Sequence, residues 1–161
     1  MKPALILIIV FIAGILSYLF IKGKHVVTDS LIARQTTIKE LPYLIRELEE
    51  GKMEYGFFGI TSNGIDCLYF TGQKDEMNIE FEVIQESQKS YVPTLTDFSK
   101  KHGITILKTS YGNKPFYEGL EEAPVYVLAL EGSREKVSQI GTEIMLEIFG
   151  NDDNTIYDVV P

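Results

Sequence analysis

From Pro3 to Ile21 the chain carries no charged side chain, and Ala4 to Ile12 is an unbroken apolar run. At about 1.5 Å of rise per helical residue, such a stretch nearly matches a hydrocarbon layer of roughly 30 Å. It therefore predicts a single N-terminal transmembrane helix. Lys2 precedes it, Lys22, Lys24 and His25 follow it, and Tyr18 falls near the far boundary, where an aromatic belt is expected. A cleaved signal peptide is the rival reading. Its apolar core is usually only about 7–15 residues and ends in a small-x-small site, whereas this stretch runs on into Leu19, Phe20 and Ile21. The only cysteine, Cys67, lies too far beyond it to carry a lipid anchor there.

Lys22, Lys24 and, further on, Arg34 and Lys39 outnumber Lys2 on the other flank, so the positive-inside rule favours a cytoplasmic C-terminal part. The expected organisation is an anchor over residues 1–22, a linker over 23–36 and one soluble domain over 37–161. Roughly 120 residues beyond the linker suffice for one domain. Nine Phe and nine Tyr can fill its core.

The linker is polar with scattered apolar residues. After it, Thr37-Ile38-Lys39-Glu40 has the form of a capping box, and Ile38, Leu41, Leu44, Ile45 and Leu48 recur at helical spacing up to Gly51. Pro42 belongs in a first turn, so the helix is expected to start close to it. The period then changes to two. Tyr55–Ile60, the turn at Asn63-Gly64 and Ile65–Thr71 read as a hairpin. Asn78–Gln85 adds a third strand, with Ile79, Phe81 and Val83 buried and Glu80 and Glu82 facing water.

A short helix runs from Pro93 towards Gly103, Ile104–Lys108 is a strand, and Ser110–Ala123 is a long loop. Val125–Leu130 is an apolar strand. Ser133 caps a helix whose stripe is Val137, Ile140, Gly141, Ile144 and Ile148, and Thr155–Val160 is the last strand. The order α-βββ-α-ββ-α-β predicts an α+β domain with about three helices on one face of a mainly antiparallel sheet. It is similar to the element order of class I type III secretion chaperones, with none of their residue motifs present.

The composition excludes more functions than it names. A net charge of −8 without a Lys/Arg stripe excludes nucleic acid as a partner and leaves room for a basic protein partner. There is no G-x-S-x-G, P-loop, G-x-G-x-x-G or H-E-x-x-H pattern. Cys67 is the single cysteine; sequence distance permits a dyad with His102, but its place in mid-strand makes a buried structural thiol the expected reading. Asn151–Asn154 with Asp158 is rich in oxygen ligands but lacks the spacing of a calcium loop, so turn formation is the expected role. No cofactor and no metal are implied.

Two candidate surfaces remain. One is the loop that carries Tyr111, Phe116, Tyr117, Glu118, Glu121 and Glu122, as a recognition surface or, on the enzyme alternative, as a source of catalytic carboxylates. The other is the sheet: with Phe58, Leu68 and Phe70 on one face, Tyr55, Phe57, Cys67 and Tyr69 fall on the other, which helices on a single face leave uncovered. The expected function is a membrane-tethered binding or accessory domain acting through protein contacts, with another protein or with a second copy. A membrane-localised immunity or exclusion-type protein is a third option.

Overall fold

The computed structural model describes residues 34–73 and 76–161. Among the described residues no helix is long and apolar enough to cross a membrane. The anchor expected over residues 1–22 and most of the expected linker lie outside them.

The first described element is a strand, β1 (Arg34–Thr37), followed by a 3-10 turn (Ile38–Glu40) and α1 (Leu41–Glu49). The Glu40 carboxylate accepts from the Thr37 amide and the Thr36 hydroxyl, which fixes the turn into the helix. Pro42 sits in the first turn of α1, where its missing amide costs nothing. A meander of β2 (Phe57–Thr61), β3 (Leu68–Gln73) and β4 (Glu76–Glu82) comes next. Then come a 3-10 turn (Glu86–Ser90), α2 (Tyr91–Lys101), β5 (Thr105–Ser110) and β6 (Pro124–Glu131). The last helix, α3 (Arg134–Glu143), runs on into one π turn (Ile144–Ile148) before β7 (Ile156–Val160). The fold is thus α+β, with seven strands in one sheet of order β1-β7-β2-β3-β4-β6-β5, every pair antiparallel.

Two expectations about the elements need correction. The linker was expected to reach residue 36, yet Arg34–Thr37 pairs with β7 and belongs to the sheet. Its sequence, Arg-Gln-Thr-Thr, has no apolar alternation, because it is an edge strand held by backbone bonds. The hairpin at Asn63-Gly64 is present, but its returning strand begins at Leu68, so Cys67 lies before the strand and not in its middle. The cause is Asp66, whose carboxylate accepts from Thr61 Oγ1, the Ser62 amide and hydroxyl, the Asn63 amide and Asn151 Nδ2. These bonds fold residues 62–67 into a compact loop in place of a two-residue turn.

The antiparallel register places Phe58, Phe70, Ile79, Leu128 and Ile106 side by side across five strands. With Leu44, Ile45, Leu95, Val137 and Ile144 from the helices, this row belongs to a single core. Gly141 on α3 lies so close to Phe70 that an added Cβ would sit 2.9 Å from the ring. Because alternate residues leave a strand on opposite faces, the other face is set by the same register.

Candidate functional site

That other face carries a second row, Val160–Gly59–Tyr69–Glu80–Val127–Leu107, contributed by six strands. Among the described residues the core helices pack on the first face; on this one Leu107 is 56% exposed, while Gly59, Glu80 and Val127 are buried. An open cleft of about 540 Å³ is set into this face, lined by Phe57, Tyr69, Thr71, Glu80, Glu82, Tyr111, Asn113, Val125 and Pro161.

The floor of the cleft comes from β4. Ile79, Phe81 and Val83 point into the core, so Glu80 and Glu82 must point the other way. Glu82 is half-buried, but Glu80 is only 7% exposed, against the expectation that it faces water. Two hydroxyls close over its carboxylate: Thr71 Oγ1 donates to Oε1 at 2.7 Å, and the Tyr111 hydroxyl donates to Oε2 at 3.0 Å. Asn113 Nδ2 donates to Glu82 Oε1. Burial, then the hydrogen bond to Glu80 and the charges of Glu80 and Glu82, push the Tyr111 hydroxyl up to about 12. It therefore stays a donor at neutral pH.

The opposite wall is aromatic. Phe57 and Tyr69 meet edge to face at 6.2 Å, with Tyr55 beyond Phe57. Tyr69 lies across its cross-strand partner Gly59, where an added Cβ would come within 2.9 Å of the ring and 2.7 Å of Val160 Cγ2. The glycine is what lets the ring lie flat against the sheet. Gly59→Ala is expected to cost about 1–3 kcal/mol through this overpacking. It should also displace the Tyr69 ring, measurable by urea unfolding and by the ring's NMR signals.

Beside the cleft, burial pushes the Cys67 thiol up to about 12, only partly offset by the Tyr69 hydroxyl, so a thiolate is disfavoured. His102 stacks on Phe98 at 4.2 Å and faces Glu143, so it and Cys67 have separate neighbours. Asp152 accepts from the Asn154 amide and the Thr155 hydroxyl, and Asp158 accepts from Gln35, which engages the Asn/Asp segment in turn and strand contacts. Among the described residues no three His, Cys, Asp or Glu side chains gather in a way that could hold a metal ion.

The six loop residues singled out from the sequence do not converge. Tyr111 alone lines the cleft. Tyr117 pins the loop to the body: its hydroxyl donates to the Val83 carbonyl, and Lys89 Nζ lies 4.0 Å from its ring centre. Phe116 is 82% exposed, and Glu118 and Glu121 are also exposed. Glu122 accepts from Ser110 Oγ at 2.7 Å. The carboxylates that meet Tyr111 come from β4, 29 and 31 residues earlier, and no local pattern announces that meeting. The signal available was the one noted for the sheet, aromatic residues alternating onto the face that helices do not cover.

No protein-family model, curated protein or solved structure matches this chain.

Proposed function

We propose that residues 34–161 form a binding module that acts through protein–protein contacts at the uncovered face of its sheet, and that residues 3–21 tether it to a membrane. The observation that carries this reading is the Val160–Gly59–Tyr69–Glu80–Val127–Leu107 row. This face carries an open cleft and the exposed Leu107, and among the described residues the helices give their buried side chains to the opposite face. The cleft's hydroxyl, amide and carboxylate groups include no histidine or cysteine to form a nucleophile–histidine pair, which fits recognition better than catalysis. The tether is supported by the charge-free apolar run alone. It would hold the module close to membrane neighbours and raise its effective concentration for them.

The test is affinity purification of the full-length chain from membranes. A stoichiometric partner is expected, with at least a tenfold loss on Leu107→Glu, which puts a charge on the exposed sheet face. Gln139→Glu, an equal charge change on the exposed side of α3, should retain it. Absence of a stoichiometric partner, or a partner indifferent to Leu107→Glu, refutes the reading.

A further inference from the structure

We propose that the cleft is a socket for one arginine side chain presented by the partner protein. This rests on the binding reading above and names the chemistry of its central contact. Its floor holds two carboxylates, and their partners are all neutral: Thr71 and Tyr111 for Glu80, Asn113 for Glu82. Among the described residues the ion pairs use Glu47, Glu50, Glu86, Asp97, Glu143 and Glu49 as their acids; none reaches Glu80 or Glu82. Hydroxyl and amide donors satisfy lone pairs but bring no positive charge, so among the described residues no cation offsets the two carboxylates.

The walls select the kind of cation. Phe57, Tyr69 and Tyr111 line the cleft with aromatic rings, whose faces attract a cation and accept an apolar stem. A guanidinium fits this combination better than an ammonium. It is planar, stacks on aromatic rings, and its fork of donors can address the half-buried Glu82 carboxylate, while Glu80, closed off by Thr71 and Tyr111, adds its charge from beneath. The volume, about 540 Å³, admits one long side chain with its flanking backbone at the rim. Charge complementarity also decides the partner. A second copy of this chain brings another −8, whereas a segment with an arginine between apolar residues matches both the cleft and the exposed Leu107 on the same face.

The test uses the full-length chain in nanodiscs of neutral phosphatidylcholine, observed through the ring NMR signals of Phe57, Tyr69 and Tyr111. The probe is acetyl-Gly-Arg-Gly amide, with its citrulline counterpart as a neutral isostere. Saturable shifts at these rings are expected with the arginine peptide, and at least tenfold weaker binding with citrulline. Glu82→Gln should weaken the arginine peptide by at least tenfold, while Glu118→Gln, the same charge change on the exposed loop, should leave it within twofold. Equal binding of citrulline, indifference to Glu82→Gln, or an absence of shifts at the three rings overturns the socket. If the socket fails while a membrane partner is still lost on Leu107→Glu, the binding-face reading stands; if that partner is absent too, both fall.

Discussion

Phe70→Ala is expected to destabilise the domain by about 3–5 kcal/mol, the usual cost of deleting a buried phenyl ring. Phe70 is fully buried. Its ring stacks on Phe58 at 4.9 Å between centres and 13° between planes. On the other side it lies against the α3 backbone at Gly141 and close to Leu41 of α1. Deleting the ring therefore opens the layer where two helices meet the middle strand of the sheet. For a domain of this size the melting temperature should fall by roughly 10–20 °C. A double-mutant cycle gives the sharper check. Gly141→Ala in the native background drives a methyl into the ring, whereas in Phe70→Ala the same methyl enters the space the ring vacated. The two substitutions should be non-additive by about 1–2 kcal/mol, with the double variant more stable than the sum of singles predicts. Additivity within error would mean that Phe70 and Gly141 do not touch in solution.

The second large effect belongs to Asp66. This carboxylate is 1% exposed and gathers donors from Thr61, Ser62, Asn63 and Asn151. It ties the β2–β3 loop to the segment that precedes β7. Asp66→Ala leaves those donors without their acceptor and is expected to cost about 2–4 kcal/mol, read from urea unfolding. Burial pushes the Asp66 carboxyl up, but the hydrogen bonds from Ser62, Asn151 and Thr61 outweigh it and hold the carboxyl below its ordinary value of 3.8. The folded state thus favours the ionised form. The resulting stability is in place above the ordinary aspartate range and is lost as the pH falls through 3.8 and then through the lower folded value. Asp66→Asn should be destabilised at neutral pH and should show a shallower loss of stability between about pH 5 and pH 2. A variant whose acid profile parallels the native one would assign the acid sensitivity to other carboxylates.

Elements whose pattern is local were legible in the sequence. The stripes Leu41–Leu48 and Val137–Ile144 placed α1 and α3, and the alternation Ile79–Phe81–Val83 placed β4. Gly51 and Gly150, with positive φ, mark where the first and last helices give way to turns. What escaped depends on residues far apart in the chain. Arg34–Thr37 becomes a strand only because β7 is there to pair with it. Asp66 shortens β3 through a contact with Asn151, 85 residues away. Glu80 looks solvent-facing by alternation and is enclosed because Tyr111 reaches back over it. The candidate surfaces were legible as two separate features, a loop with aromatics and an uncovered sheet face. Only the register of β4, β6 and β5 joins them at Tyr111, and the loop carboxylates stay outside that junction.

The position of β4 also has a kinetic meaning. It is hydrogen-bonded on both sides, to β3 and β6, and the side chains opposite its two carboxylates are core residues at 0% and 1% exposure. Amides of such a strand exchange with solvent chiefly when the whole domain opens. The cleft floor is therefore as long-lived as the fold itself. A guest of the kind proposed would find the strand that carries Glu80 and Glu82 already in place, so little backbone ordering would oppose its binding.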